Sequence, residues 1–162
     1  MKNNSKTMFD LLMDLWPLHR TVNSDDLDKA FKMCDEYITT GKLTMYNFKP
    51  GQEVLTWIVP PRYHVKDAWL EIDGNRVADF KKNYLHLLSY SMPIKINGKL
   101  KDFKKNIWTS KKRPNAIPWE FKYYERSWGF CMSHNELLKY NKDSRVEGII
   151  DVSFSQEPMK VA

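Results

Sequence analysis

The strongest constraint on what this chain can fold into is a change of period at Gly41. Before it, apolar residues recur at helical spacing; after it, they collect in short runs of strand formers cut by proline and glycine. Thr7 can cap a first helix with Asp10 at its third position, and Met8, Leu11, Leu12 and Leu15 then share one face. Pro17 ends that pattern because its ring blocks the next helical hydrogen bond. Ser24 caps a second helix, with Asp25 and Asp26 set against the positive end of its dipole. Leu27, Ala30, Phe31, Cys34, Tyr37 and Ile38 form its stripe, and Gly41 is expected to close it.

Beyond Gly41 the sequence predicts strands over 43–48, 53–59, 67–72, 76–80, 84–90 and 146–154. Pro50-Gly51 and Asn97-Gly98 read as turns, and Asp73-Gly74-Asn75 as a hairpin turn, since those residues tolerate positive φ. A short helix is expected over 100–107, with Leu100, Phe103 and Ile107 on one side and lysines on the other. The densest stretch is FKYYERSWGFCMSHNELLK, residues 121–139. It predicts strands over 121–124 and 128–131 around a charged turn. Ser133 and Glu136 then make a capping box, so a helix should run from His134 to about Tyr140. The whole reads as α+β: two N-terminal helices, a mostly antiparallel β-rich region over about 43–132, one helix and a final strand.

A chain of 162 residues, 42% apolar and 14% aromatic, can bury its own core. Two cysteines give no disulfide framework and fit a reducing compartment. The opening MKNNSKTMFD has no long apolar run, so neither a signal peptide nor a membrane span is expected, and a cytoplasmic location follows. The net charge of +6 is uneven: residues 81–126 hold 12 of the 26 Lys and Arg but 3 of the 20 Asp and Glu. That excess could face phosphate, an acidic partner or solvent.

The chemistry-bearing residues do not form a familiar machine. His19, His64, His86 and His134 show no helical metal-ligand spacing and no HExxH. Cys131 lies between Phe130 and Met132, which suits a buried small hydrophobe better than a nucleophile. No GxSxG elbow, phosphate loop or dinucleotide fingerprint is present. Tyr123, Tyr124 and Trp128 can either fill a small sheet's core or form a stacking surface for sugars, peptide side chains or bases. Arg20, in the loop between the helices, could clamp a carboxylate or pair with Asp25 and Asp26.

Three segments carry a resemblance. PLHRTVNSDDLDKAF, TWIVPPRYHVKDAWLEIDGNRVADFKKNYLHLLSYSMP and IPWEFKYYERSWGFCMS resemble a bacterial family of aminopeptidase-like proteins of otherwise unknown function. The motifs occur in the family's order and span about Phe9 to Phe154. The resemblance implies a zinc-exopeptidase-like α/β domain interrupted by an inserted β-rich domain, with a winged helix commonly following. On that reading residues 1–42 open the peptidase-like domain, 43–132 are the insertion, and 133–162 return to an incomplete peptidase-like domain.

The same resemblance implies zinc in full-length members, held by ligands and served by a catalytic glutamate that lie beyond the segments matched here. No catalytic residue, metal ligand or cofactor is therefore expected in this chain, and no turnover by it alone. It is expected to be the non-catalytic N-terminal portion of an aminopeptidase-like hydrolase, from a truncated product or a fragment, its insertion shaping the substrate cleft. The alternative is a stand-alone saccharide- or peptide-binding module. Arg20, His86, Tyr123, Tyr124 and Trp128 are the candidate substrate contacts. The expected partners are the rest of a peptidase-like domain or another copy of the chain, with a peptide or small molecule as substrate. Membrane association is not expected, and nucleic-acid binding through 81–126 has no recognisable motif behind it.

Overall fold

A computed structural model describes residues 7–38 and 40–162. The α+β class holds, and the chain divides into two compact units: residues up to His64 with Phe154–Ala162, and Val65–Ser153.

In the first unit, α1 (Met8–Leu15) starts at the expected box: the Asp10 amide donates to Thr7 Oγ1 at 3.2 Å and the Thr7 amide to Asp10 Oδ2 at 2.6 Å. Its apolar side chains Met8, Phe9, Leu12 and Met13, with Trp16 just beyond, are exposed. Helix α2 (Asp25–Tyr37) is capped by Ser24, whose Oγ accepts from the Leu27 amide at 3.2 Å. It ends earlier than expected: Ile38 is already extended, and Gly41, at φ +95°, lies in the following loop rather than at the cap.

The predicted strand over 53–59 is instead a tight hairpin. β2 (Glu53–Val54) pairs with β3 (Trp57–Ile58), because Leu55 takes φ +53° and turns the chain. β1 (Tyr46–Phe48) pairs antiparallel with β10 (Met159–Val161), a strand not expected from the sequence. Around Tyr63, which is buried, lie the rings of Phe154 at 5.2 Å and His19 at 6.1 Å.

The same unit holds a charge cluster. Arg62, its side chain 4% exposed, donates to Asp25 at 2.7 Å and Asp28 at 3.0 Å, with Glu157 at 3.5 Å. Lys160 reaches Asp28 at 2.6 Å. A buried guanidinium needs such partners, because uncompensated desolvation of a cation is expensive.

The second unit is built on a four-stranded sheet in the order β5 (Asn75–Asp79), β4 (Arg62–Ile72), β9 (Arg145–Ser155), β6 (Ile94–Lys99). Asp73 (φ +49°) and Gly74 (φ +79°) make the expected β4–β5 turn. The buried face carries Leu70, Ile72, Ile96, Val146 and Ile150, and Leu88, Phe130 and Met132 are buried in the same unit. β6 runs straight through Asn97-Gly98, which the sequence marks as a turn. Its six residues pair in register with β9, from Ile94 opposite Ile150 to Lys99 opposite Arg145, and that ladder outweighs local turn propensity.

Two more expectations change here. Residues 84–90 begin as a 3-10 turn, Tyr84–His86, rather than a strand, and residues 121–124 form no ladder. From the second predicted strand only Phe130–Cys131 (β8) survives, pairing parallel with β7 (Ile107–Trp108). The short helix is α3 (Leu100–Phe103), continued by a 3-10 turn at Lys104–Asn106. α4 (His134–Leu137) starts at Ser133, which accepts from the Glu136 amide at 3.1 Å.

Candidate ligand-contact surface

Between β7 and β8 the chain from Trp119 to Tyr124 joins no strand and bends at Tyr123 and Tyr124. The rings of Trp119, Phe121 and Tyr123 meet in a row. The ring centroids of Trp119 and Phe121 are 5.3 Å apart, and those of Phe121 and Tyr123 are 4.9 Å apart. Tyr124 meets Tyr123 edge-on at 4.8 Å, and Tyr90 meets it edge-on at 5.8 Å. These are favourable spacings for aromatic pairs. Trp119, Phe121 and Tyr124 are exposed, Tyr123 is half-buried and Tyr90 is buried.

Tyr90 anchors the row. Its φ of +56° is a left-handed conformation that a bulky residue adopts only when its neighbours enforce it. Here they do. The Leu88 amide donates to the Gly129 carbonyl at 3.0 Å and the Met92 amide to the Ser127 carbonyl at 2.9 Å, holding the backbone on both sides of Tyr90. Ser91 Oγ donates to the Leu88 carbonyl at 2.8 Å and accepts from the Gly129 amide at 3.2 Å. Burial pushes the Tyr123 phenol well above its ordinary range, with Tyr90 and Tyr124 adding to the effect. The row is thus a neutral stacking surface with hydroxyl tips, edged by the Lys122–Glu125 ion pair at 2.9 Å.

Of the residues proposed from sequence, Tyr123 and Tyr124 come together here. Trp128 packs its ring against Phe103 at 6.1 Å, and its carbonyl accepts from Asn106 Nδ2 at 2.8 Å. His86 places Nδ1 2.8 Å from the Cys131 carbonyl oxygen, and burial lowers its pKa, so the imidazole is neutral near pH 7. Arg20 belongs to the other unit, is exposed, and donates through Nε to the Leu15 carbonyl at 3.4 Å. The acidic start of α2 has other partners: Asp25 pairs with Arg62, and Asp26 with Lys29 at 2.7 Å. Trp119 and Tyr90 were not singled out from sequence. The alternation in PWEFKYY marks Trp119, whereas nothing local marks Tyr90.

The described residues do not fit the zinc implied by the resemblance. Among them no three His, Cys, Asp or Glu side chains are placed to hold a metal ion. His134 Nδ1 lies 3.0 Å from Thr109 Oγ1, and His64 Nε2 lies 3.0 Å from Ser155 Oγ. The carboxylates nearest His64, Asp25 and Glu157, converge on the Arg62 guanidinium. Cys131 is buried, which pushes its thiol up to about 12 and leaves it a poor nucleophile. Among the described residues no helix is long and apolar enough to cross a membrane.

Comparison with known proteins places these features in a family. Residues 62–153 match the family described as "Domain of unknown function (DUF2172)". The chain is 30% identical over 157 residues to a Clostridium acetobutylicum protein described as a "Putative polysaccharide biosynthesis protein with aminopeptidase-like domain". That alignment covers 94% of this chain and 35% of the relative. A crystal structure described as a "putative peptidase" from the same organism superposes with a TM-score of 0.83 at 29% identity, again over 94% of this chain and 35% of the other. The chain thus spans about a third of the length of the relatives it matches, corresponding to their N-terminal portion.

Proposed function

This chain belongs to the family described as a domain of unknown function (DUF2172), and we propose that it is a non-catalytic, substrate-contacting portion of an aminopeptidase-like hydrolase. The observation that carries this reading is the row Trp119, Phe121, Tyr123 and Tyr124. It is a partly exposed aromatic surface whose neighbouring thiol, Cys131 against the Glu120 backbone, is buried and pushed up to about 12, and no group of three metal ligands occurs among the described residues. Aromatic faces stack on sugars and on apolar peptide side chains alike, so either could be its ligand. The relative's description, joining polysaccharide biosynthesis to an aminopeptidase-like domain, supports both classes.

In this reading an inserted portion interrupts a peptidase-like one, with boundaries near residues 42 and 133. The pairing of β1 with β10 supports an interrupted unit, since its strands come from both sides of Val65–Ser153, although that unit changes over at His64 and Phe154 rather than near 42 and 133. The exposed apolar side chains of α1 would meet the rest of such a hydrolase or another copy of the chain. The free Cys34 and Cys131 suit a reducing cytoplasm.

The test is titration of the purified chain against peptide and oligosaccharide panels, read by tryptophan fluorescence and calorimetry. A saturable ligand is expected, losing about 10-fold in affinity in both Trp119→Ala and Tyr124→Ala, in line with about 1–2 kcal/mol per stacked ring. Affinity unchanged in both variants would sink the aromatic row as the contact. Stoichiometric zinc together with aminopeptidase turnover by the chain alone would overturn the non-catalytic assignment.

A further inference from the structure

A second feature of the unit Val65–Ser153 shares no residue with the aromatic row. α3, β7, α4 and the turn after α4 border an open cavity of about 610 Å³, within the usual range for small-molecule sites. Leu100, Ile107 and Leu137 give it an apolar lining, to which the exposed Leu138 adds. Lys101, Lys104, Lys111 and Lys142 also line it, and no carboxylate does.

Two acids sit at its edge, each already paired, and their partners include the lining residues Lys101 and Tyr140. Asp143 pairs with Lys99 at 3.2 Å and Lys101 at 3.5 Å, and Glu136 accepts from the Tyr140 hydroxyl at 3.3 Å. Among the described residues Lys104, Lys111 and Lys142 make no ion pair. Three exposed lysines without a carboxylate partner on one apolar-lined cleft give it a positive potential that attracts anions.

The walls are fixed by backbone contacts between distant segments. The Lys101 amide donates to the Lys142 carbonyl at 2.9 Å, and the Leu100 amide to the Ser144 carbonyl at 2.9 Å. On the far wall the Asn135 amide donates to the Pro114 carbonyl at 3.0 Å, and Thr109 Oγ1 meets His134 Nδ1 at 3.0 Å. A cavity held this way is preorganised, so a ligand meets little ordering penalty on entry.

We propose that this cavity binds an organic phosphate whose apolar body lies on Leu100, Ile107 and Leu137 while Lys104, Lys111 and Lys142 hold the phosphoryl group. Three unpaired lysines attract a dianion more strongly than a singly charged carboxylate, and the apolar floor favours an organic phosphate over the bare ion.

The experiment is calorimetric titration of the full chain with inorganic phosphate, phenyl phosphate, benzoate and dodecyl phosphate below its micelle concentration. The comparison is with Lys104→Glu/Lys111→Glu and, as a matched charge change elsewhere on the unit, Lys82→Glu/Lys95→Glu; all four lysines are exposed. Phenyl or dodecyl phosphate should bind at least 10-fold tighter than inorganic phosphate and than benzoate. Lys104→Glu/Lys111→Glu should lower that affinity at least 10-fold, and Lys82→Glu/Lys95→Glu less than 2-fold. Tighter binding of the dodecyl compound points to an acyl-chain phosphate, and of the phenyl compound to a soluble aryl or nucleoside phosphate; either supports the site. Inorganic phosphate binding as tightly as both organic ones, equal losses in the two double variants, or an alternating Glu-Leu peptide outcompeting the phosphates would overturn it. These outcomes do not depend on Trp119 or Tyr124, so failure here is distinguishable from failure of the aromatic contact.

Discussion

Gly129 passes so close to the Trp108 indole that a β-carbon at residue 129 would stand 2.0 Å from Cζ3, and 2.6 Å from the Asn106 carbonyl oxygen. The second contact is backbone and cannot swing aside. Gly129→Ala is therefore expected to destabilise the fold by about 3 kcal/mol, at the upper end for overpacking. Gly74 is the control: it has open space around it and only its φ of +79° at stake, so Gly74→Ala should lose about 1 kcal/mol. Urea denaturation of the two variants checks the ordering; equal losses would contradict the close approach of Gly129 to Trp108 and the Asn106 carbonyl.

His19 is buried, and burial lowers its pKa from 6.5 to about 4, with Asp26 pulling the other way. Between those values the unfolded chain binds the proton and the folded chain does not. Stability therefore falls as pH drops from about 6.5 to about 4, by up to about 3 kcal/mol. Urea midpoints of wild type and His19→Gln at pH 4.5 and 7 measure this, and the variant should show the flatter dependence.

A separate acid effect belongs to Asp25. Its hydrogen bond from Arg62 holds the carboxyl below its ordinary value of 3.8, so the associated stability is present above that pH and lost below it. Arg62→Met removes this lowest-pH component. It also removes the guanidinium from the half-buried Asp28, which keeps Lys160, so at pH 7 a loss of about 2 kcal/mol is expected. Acid titration by circular dichroism, with wild type alongside, separates the two consequences.

The thiols should differ in reactivity. Cys131, buried and shifted up to about 12, is expected to resist a disulfide reagent at pH 8 until the chain unfolds. Cys34 is half-buried and should react in the native state. A native Cys34→Ser protein that still reacts fast would contradict the burial of Cys131.

What could be read in advance was local. Thr7, Ser24 and Ser133 each satisfy orphan amides within four residues, and Asp73-Gly74 turns the chain through its own backbone preference, so these features need no distant partner. The misreadings share the opposite property. Asn97-Gly98 lies within a strand because β9 pairs with it, and Tyr90 breaks the 84–90 run because segment 127–129 holds its backbone. The candidate surface divides the same way. Trp119, Phe121 and Tyr123 alternate visibly, whereas Lys104 and Lys142 share a cavity through contacts far apart in sequence.

The pairing of β1 with β10 also sets an order of events during synthesis. Val65–Ser153 is one unbroken stretch, so its sheet can close as soon as β9 leaves the ribosome. The strand at Tyr46–Phe48 emerges long before Met159–Val161, the segment it pairs with. Until then its backbone edge and Asp28's partner Lys160 are both outstanding, so the first unit closes last.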